Sequence, residues 1–488
     1  MTALAAPPVS SRSPVTAPVQ KAIIPGILVG LAVAYVTMPF AHATGGREPW
    51  ALTKAAIVVG VALIAVKPWR ELSARVLGLA VAVSLAALAV CLVTPPGWFD
   101  GTRAASYALA AATFVTVAAY ARSVRRSYPI AAIVATAGAV QFCWSFVAWW
   151  GGRDQSIPMV GTFYWHNQFA AFLLAPALIA LALLVGRRAP WRLVGWVVAP
   201  LAVAGVVHSS SRGGMGVLLA GWLVIGVLAV RVRPNRRAFV KWLAASVLAA
   251  GVTVAVSSPP FFSSTASPLS ATQARASTGE TADANGAYRV QMWRESITVF
   301  EHHPVTGVGY GGLLSAASKL TPATWARSPL AHDDYLQALA EGGLLLGLPF
   351  LGACGVIAIG LLRVGSSRVH SRVIDVRTGV VVAAIALMAH AAIDFDWTYP
   401  ALFCLAAVVT ALAVGPVLRR PPRSVGATSS DAVGLPARPV VPWARVALVG
   451  LLVGATVAGG IAEHRGGLQI AYNVTNANPA SASGTGHG

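Results

Sequence analysis

The sequence predicts an all-α fold, a polytopic membrane helical bundle of about 12–13 transmembrane helices with one long extracytoplasmic loop. Three observations lead to this prediction. Hydrophobic residues make up 56% of the 488 residues and charged residues only 11%, whereas soluble domains carry about 25% charged residues. The apolar residues form separate runs of membrane-spanning length, and the basic residues collect between alternate runs. Helices are expected because lipid cannot satisfy bare backbone polar groups.

The predicted spans follow one another along the whole chain, and each approaches the roughly 20 apolar residues that a spanning helix needs. They cover residues 22–40, 51–66, 75–94, 104–121, 129–150, 167–185, 193–207, 213–230, 239–257, 336–362, 378–393, 399–417 and 443–462. The second and the seventh are short. After the first span, Ala41-His42-Ala43 resembles a signal cleavage site, but the preceding apolar run is long for a signal peptide, so a retained helix is predicted.

The distribution of charge predicts the orientation. The net charge is +20, from 36 Lys and Arg against 16 Asp and Glu. If the N-terminus is cytoplasmic, most of the basic residues fall in cytoplasmic loops and few of the acidic residues do, as the positive-inside rule requires. The basic clusters are therefore interpreted as topology signals that also contact membrane lipids. This interpretation excludes nucleic acid as the expected partner.

This topology divides the chain into seven segments. They are 1–21, a disordered cytoplasmic tail; 22–257, the N-terminal transmembrane helices; 258–331, an extracytoplasmic loop with short helices; 332–417, the C-terminal transmembrane helices; 418–442, a cytoplasmic linker; 443–462, the last transmembrane helix; and 463–488, a flexible extracytoplasmic tail. A loop of ~70 residues in a helical bundle is typical of a lid or binding element. Within it, residues 288–303 predict a helix stopped by Pro304, and residues 307–312 predict a flexible turn.

The most informative motif is His332-Asp333-Asp334, at the start of the tenth span. Ionisable groups at membrane depth are costly and mark functional sites by default. Neutral imidazole can take a hydroxyl proton, which makes His332 a candidate general base. Asp334, Gln337 and Glu341 recur at helical spacing and share one face. In the alternative interpretation, Asp333 or Asp334 caps the helix and Glu341 pairs with a neighbouring helix; both interpretations can hold at once.

Arginines supply a second motif. Arg212 begins a helix directly after Ser211 and before Gly213-Gly214. The free N–H groups of a helix start attract anions, and a guanidinium adds paired donors suited to phosphate. Arg212 is therefore a phosphate anchor or a snorkelling interfacial arginine, and both interpretations stay open. Arg289 and Arg294 are candidates of the same kind, with an ordinary position in a polar loop as the alternative.

Further polar groups are predicted at the same side of the membrane. His166 and Asn167 open the sixth span, and His390 and Asp394 close the eleventh. His390 and Asp394 are four residues apart, so a hydrogen bond between them is expected. A structural role of this pair in helix packing is favoured over a catalytic one. No metal site and no cofactor are predicted, because the histidines, aspartates and four isolated cysteines lack ligand spacing.

Six motifs, in a fixed order, carry a family resemblance. They are Trp165-His166-Asn167-Gln168-Phe169-Ala170, Ser209-Ser210-Ser211-Arg212-Gly213-Gly214, Tyr288-Arg289 with Trp293, His303-Pro304-Val305-Thr306-Gly307-Val308-Gly309-Tyr310-Gly311, His332 to Gly347, and His390 to Trp397. Over about residues 160–415 the chain resembles the O-antigen ligase and polymerase superfamily, bacterial membrane glycosyltransferases that use lipid-linked glycans. The family pattern has asparagine where this chain has Asp333, which leaves the role of Asp333 open.

The resemblance implies a GT-C-like bundle in the bacterial cell (inner or plasma) membrane, with an extracytoplasmic active site and 332–417 in the ligase-like core. It implies metal-independent, inverting transfer of a glycan from undecaprenyl pyrophosphate to a glycan, lipid or protein acceptor, in surface or exopolysaccharide ligation or polymerisation. His332 would activate the acceptor hydroxyl, supported by Asp334 or Glu341. The pyrophosphate and substrate positions would be Arg212, Arg289, Arg294, Ser211, Asn167, His166, Tyr310 and Gln337, with His390 and Asp394 as further support.

Two other functions stay open on the sequence alone. A transporter of an anion or of a lipid-linked sugar would use the outer arginines as an anion vestibule. Such a transporter is expected to show repeat symmetry and ionisable groups near the middle of the membrane, and this sequence shows neither pattern. A non-catalytic scaffold of a polysaccharide assembly system would keep the same fold without the activity.

Overall fold

In the computed structural model the chain forms a bundle of α-helices. The structure describes residues 72–94, 101–121, 123–150, 158–163, 165–186, 188–231, 236–258, 279–321, 327–371 and 374–418, with single residues 59, 270, 447 and 450. In this part of the chain the helices are α1 (Ala74–Val93), α2 (Gly101–Tyr120), α3 (Val124–Trp150), α4 (His166–Val185), α5 (Ala189–His208), α6 (Arg212–Arg231), α7 (Arg236–Ser257), α8 (Gly279–His302), α9 (Leu313–Leu320), α10 (Asp334–Ser371), α11 (Val376–Ala391) and α12 (Pro400–Val414). The predicted all-α class is confirmed.

The helices agree with the predicted spans. All ten predicted spans that fall in the described part of the chain coincide with a helix. Among the described residues, seven helices are long and apolar enough to cross a membrane, and α11 and α12 are shorter apolar helices. Apart from isolated residues, the predicted spans 22–40, 51–66 and 443–462, the linker and the two tails lie outside the described residues. The architecture is that of a multi-pass membrane protein.

Helix α4 lies at the centre of the bundle. Its side chains from Phe169 to Val185 are apolar and buried on every side, which is typical of a helix enclosed by other helices. Helices α3, α5, α6 and α11 pack around it. Because α4 begins at His166, its first turn carries the polar residues Asn167 and Gln168 into the interior at one end of the bundle.

Helix α10 is interrupted at Gly343, so the prediction of one continuous span over 336–362 is wrong in this respect. Gly343 has φ 54° and ψ −153°, a conformation that is essentially restricted to glycine. A Cβ atom there would lie 2.5 Å from the Gly307 nitrogen and 2.6 Å from the Val305 carbonyl. The first part of α10, residues 334–342, is therefore a separate half-helix, which we call the entry half-helix.

The chain segment 304–312 fills the interruption. Four backbone hydrogen bonds join the two: Leu344 N to Pro304 O (2.7 Å), Leu345 N to Val305 O (2.9 Å), Val308 N to Ala340 O (3.1 Å) and Gly309 N to Glu341 O (2.9 Å). Tyr310 anchors the same segment on α1, because its hydroxyl donates to the Ala87 carbonyl at 3.0 Å and its N–H to the Thr94 hydroxyl at 3.1 Å. The predicted flexible turn at 307–312 is therefore a fixed, packed segment, since its partners come from parts of the chain remote in sequence.

The loop predicted over 258–331 contains a longer helix than its pattern indicated. Helix α8 begins at Gly279 rather than Tyr288 and ends at His302, just before Pro304. It is tied to the chain ahead of the entry half-helix by an ion pair between Glu295 and Arg327 at 3.0 Å. Helix α8 is thereby positioned beside the start of α10.

Candidate active site

A buried carboxylate, that of Asp394, lies at the centre of the polar cluster at one end of the bundle. Asp394 follows α11 and is 1% exposed. The side-chain amides of Asn167 and Gln168 on α4 donate to its two oxygens at 2.7 and 3.1 Å. Arg289 on α8 forms an ion pair with it at 3.2 Å. Nδ1 of His332 lies 3.6 Å from Oδ1 of Asp394, just beyond hydrogen-bonding distance.

The Asp394 carboxyl group stays ionised in this environment. Burial opposes its ionisation, but the interaction with His332, followed by the charges of His390 and Arg289, holds the pKa of Asp394 well below its usual value. A buried charge is tolerated when it is paired and hydrogen-bonded. Asp394 is therefore an anion that can fix the positions of His332 and Arg289 at the same time.

His332 occupies an unusual backbone conformation directly before α10. Its φ of 53° lies in the left-handed region, where residues with a side chain are uncommon and tend to cluster at functional sites. Its carbonyl accepts a hydrogen bond from the Trp293 indole at 3.3 Å, and its ring packs edge-on against Phe395 at 4.6 Å. Nδ1 is buried towards Asp394, while the side chain as a whole is 19% exposed. The accessible edge of the ring therefore faces away from Asp394.

His390 pairs with Asp396 rather than with Asp394. Its Nδ1 lies 2.7 Å from the Asp396 carboxylate, and both side chains are buried. The predicted hydrogen bond between His390 and Asp394 is wrong, because α11 ends at Ala391 and the helical spacing does not reach Asp394. On the other side of the ring, Nε2 would lie 3.7 Å from a Cβ atom built on Gly213.

The start of α6 lies beside this second histidine. The Ser211 hydroxyl accepts a hydrogen bond from the Gly214 N–H at 3.1 Å and so satisfies one of the free donors of the first turn. Gly213 approaches Ile393 so closely that a Cβ atom would lie 3.0 Å from it. Arg212, the first residue of α6, is exposed. The guanidinium predicted to anchor phosphate thus stands at the same end of the bundle as the Asp394 cluster.

Asp333 caps the entry half-helix. Its Oδ1 accepts backbone hydrogen bonds from Tyr335 at 2.8 Å and from Leu336 at 3.0 Å. Burial raises the pKa of Asp333, and these two bonds partly counter that effect. The capping alternative therefore holds for this residue. An asparagine oxygen can accept the same two bonds, which accounts for the departure from the family pattern without a new chemical role.

The other polar residues of the entry half-helix hold it in place. All three are buried, and each has a partner outside the half-helix: Asp334 accepts from Trp397 N at 2.8 Å, Gln337 accepts from Ala331 N at 2.6 Å, and Glu341 accepts from Gly311 N at 2.9 Å. The structure therefore places Asp334 and Glu341 in contacts that orient the backbone around His332, rather than in contact with its ring.

Arg103 on α2 belongs to this arrangement and was missed by the sequence reasoning. Its buried guanidinium forms an ion pair with Glu341. A signal was available, because a single arginine within an apolar helix is costly and requires a partner. The alternative predicted for Glu341, a pairing with a neighbouring helix, is thereby what the structure shows.

Three predicted binding residues lie apart from Asp394. Arg294 is exposed on α8 and is turned about 140° around the helix from Arg289. Tyr310 is 1% exposed, so its contacts are structural. His166 begins α4 with its ring 5.4 Å from that of Trp165. In the described part of the chain, no group of three or more histidine, cysteine, aspartate or glutamate side chains could hold a metal ion.

Residues 197–351 match the family model described as O-antigen ligase. The fold and the polar cluster define a multi-pass membrane protein with histidines, a buried carboxylate and arginines at one end of a helical bundle. This match supports the resemblance of the chain's motifs to the O-antigen ligase and polymerase superfamily. Glycosyltransferase-type activity is typical of this family. A search of curated proteins found no match to the chain.

The matched stretch contains only part of the site. Arg289 and His332 lie within it, whereas Asn167 on α4 and Asp394 after α11 lie outside it. Arg289, His332 and Asn167 nevertheless meet at the Asp394 carboxylate. The elements that flank the matched stretch therefore complete the cluster.

Proposed function

We propose that the protein is a membrane glycosyltransferase that moves a glycan from undecaprenyl pyrophosphate to an acceptor hydroxyl, by an inverting and metal-independent mechanism. The observation that carries this proposal is the convergence of His332 and Arg289 on the buried Asp394 carboxylate, in a chain that matches O-antigen ligase. A proton acceptor and a phosphate-binding guanidinium are the two groups that this reaction requires.

His332 is suited to act as the general base. The accessible edge of its ring can accept the proton of an acceptor hydroxyl. Asp394 then faces the imidazolium that forms and stabilises it, as a carboxylate does for histidine in hydrolytic triads. The present 3.6 Å separation of His332 from Asp394 is compatible with this role, because catalytic hydrogen bonds are often long until substrate binds.

Arg289 and Arg212 are suited to hold the pyrophosphate. A guanidinium has five N–H donors, and one nitrogen of Arg289 pairs with Asp394 while the side chain remains 29% exposed. Its other donors can bind phosphate oxygens. Arg212 adds an exposed guanidinium at a helix start, where anions are favoured. Fixed positive charge of this kind stabilises a departing pyrophosphate without a metal ion.

The charge pattern supports an extracytoplasmic site in a bacterial plasma membrane. The positive-inside rule assigns the loop that contains α8 and the starts of α4, α6 and α10 to the side opposite the basic loops. Lipid-linked glycan and acceptor would meet there. The acceptor would be a glycan, lipid or protein hydroxyl, in ligation or polymerisation of surface or exopolysaccharide.

The test is a release assay with purified protein. Wild type, His332→Ala and the control His302→Ala, an exposed histidine of α8, are incubated with a lipid-pyrophosphate-linked oligosaccharide and candidate acceptors. We expect release of lipid pyrophosphate from wild type and the control, resistant to chelators, and none from His332→Ala. Equal release from all three would remove His332 from the mechanism. Flux of labelled lipid across liposomes without release would instead support a transporter.

A further inference from the structure

A second histidine and carboxylate pair, His390 with Asp396, lies beside the Asp394 cluster and is separate from the proposed base and pyrophosphate-binding arginines. The Nδ1 to Oδ2 distance is 2.7 Å, and the side chains are 1% and 3% exposed. Asp396 follows Asp394 by two residues. The site therefore contains two such pairs side by side, one built on His332 and one built on His390.

The contact with Asp396 decides which nitrogen of His390 can act. A carboxylate oxygen accepts a hydrogen bond from the Nδ1–H group, so Nε2 is the nitrogen left to bond elsewhere. Nε2 faces the start of α6 near Gly213. Among the residues that the structure describes, Asp396 is the one hydrogen-bond partner of the His390 side chain. Nε2 is thus directed to a place where a ligand atom can complete its bonding.

The place that Nε2 faces is suited to an anion. N–H groups in the first turn of a helix lack partners within the helix and attract negative charge. The Ser211 hydroxyl accepts a hydrogen bond from one of these groups, the Gly214 N–H. The Gly213 N–H lies one residue earlier in the same first turn and is a candidate donor to an anion. Arg212 begins this helix and contributes a full positive charge. An imidazolium held by a carboxylate adds a further donor at the same point.

We infer that His390 is a catalytic residue that hydrogen-bonds the lipid pyrophosphate through Nε2, with Asp396 as its positioning residue. This inference rests on the proposed function. As the acceptor oxygen bonds to the anomeric carbon, the bond from that carbon to the pyrophosphate oxygen breaks, and its electron pair stays on the phosphate. The acceptor proton passes to His332. The Nε2–H of His390 meets the new charge on the phosphate and keeps its own proton.

This division of roles predicts how variants should behave. Removal of one preorganised donor to developing charge typically lowers kcat by about 10²–10³-fold. We expect this loss in His390→Ala with a smaller change in KM for the donor, because the charge grows mainly in the transition state. Asp396→Asn should also lower kcat, because a neutral amide no longer stabilises the imidazolium form in which Nδ1 and Nε2 both carry a proton. His390→Gln, which keeps an amide donor, should recover part of the activity lost in His390→Ala.

The direct test uses the product, undecaprenyl pyrophosphate, which carries the charge that the leaving group acquires. Its affinity is measured for detergent-solubilised wild type, His390→Ala, His332→Ala and the control His302→Ala, with the Tm of each. Loss of a hydrogen bond to a charged group should weaken product binding by about tenfold or more in His390→Ala. His332→Ala and the control should bind the product as wild type does.

Each outcome decides a separate point. If wild type turns over and His390→Ala and Asp396→Asn match it in kcat and product affinity, the inference is wrong and the proposed function stands. If both variants have a lower Tm but unchanged product affinity, the pair is only structural, which also overturns the inference. If wild type releases no lipid pyrophosphate, the proposed function is wrong, and the inference about His390, which rests on it, is wrong as well. If His390→Ala does not fold, kcat, product affinity and Tm are compared for His390→Gln and Asp396→Asn instead.

Discussion

The guanidinium of Arg103 forms a buried ion pair with the carboxylate of Glu341, which lies 238 residues further along the chain. Glu341 also accepts the Gly311 N–H through its side chain at 2.9 Å and the Gly309 N–H through its carbonyl at 2.9 Å. One residue therefore links α2, segment 304–312 and the entry half-helix. His332 lies at the start of that half-helix, so the pair fixes the part of the chain that presents the proposed base.

This pair should be costly to break from one side and less costly to remove as a whole. Removal of one partner of a buried ion pair typically costs about 3–5 kcal/mol, because a charge is left buried without compensation, whereas apolar replacement of both is often tolerated. We expect Arg103→Met and Glu341→Met each to lower the Tm in detergent strongly, and the double variant to lower it less than either one. Arg363→Met, at an exposed position of α10, is the control. Additive effects of the two substitutions would show that the pair is not coupled.

The low pKa of Asp394 predicts the pH range in which this carboxylate stops stabilising the folded protein. A carboxyl group whose pKa is lower in the folded protein contributes stability that is fully present above its unfolded pKa of about 3.9, and loses it as the pH falls towards the folded value. We therefore expect Asp394→Asn to lower the Tm relative to wild type by a nearly constant amount at about pH 5–6, which lies above the unfolded pKa. The difference should shrink below about pH 4.

The control for this measurement is Glu301→Gln, an exposed carboxylate on α8, which should leave the Tm unchanged over the same range. A difference for Asp394→Asn that stayed equally large down to about pH 3 would contradict a lowered pKa, since the stabilising effect must fall below the unfolded pKa of the carboxyl group.

Gly343 and Gly355 offer a matched comparison within α10. At Gly343 the backbone conformation alone costs about 1–3 kcal/mol for a residue with a side chain, and a Cβ atom would also collide with segment 304–312. At Gly355 nothing lies within 4 Å of a Cβ position. We expect Gly343→Ala to lower the Tm and abolish transfer, while Gly355→Ala is neutral or stabilises by up to about 1 kcal/mol. Equal effects of the two substitutions would show that the interruption has no role in positioning His332.

The sequence predicts the helices well because their signal is local. An apolar run of about 20 residues reports a membrane span regardless of its neighbours, and each predicted span in the described part of the chain is a helix. The interruption at Gly343 has no such signal. Glycine is frequent in membrane helices, and only the hydrogen bonds to Pro304 and Val305 distinguish an interruption from a continuous helix.

For the candidate site, too, the sequence predicts which residues gather but not which of them contact each other. Its motifs indicated which residue types gather at one end of the bundle, and His332, Arg289, Asn167 and Asp394 do meet there. The partners within the cluster could not be predicted, because they depend on where helices end. His390 was expected to bond to a residue four positions later, but the helix stops first and the chain turns a different carboxylate towards it.

Asp333 provides the last prediction, because it stands where the family pattern has asparagine. The structure gives this side chain two backbone N–H groups to accept, from Tyr335 and Leu336, and either residue type can do so. Asp333→Asn should therefore leave the Tm unchanged and the rate of transfer within twofold of wild type. A twofold change in rate corresponds to about 0.4 kcal/mol in activation free energy. Asp333→Ala should cost about 1 kcal/mol, as the loss of a cap does, and should reduce transfer through the position of His332. A large loss of kcat in Asp333→Asn with an unchanged Tm would instead assign a chemical role to the negative charge beside the proposed base.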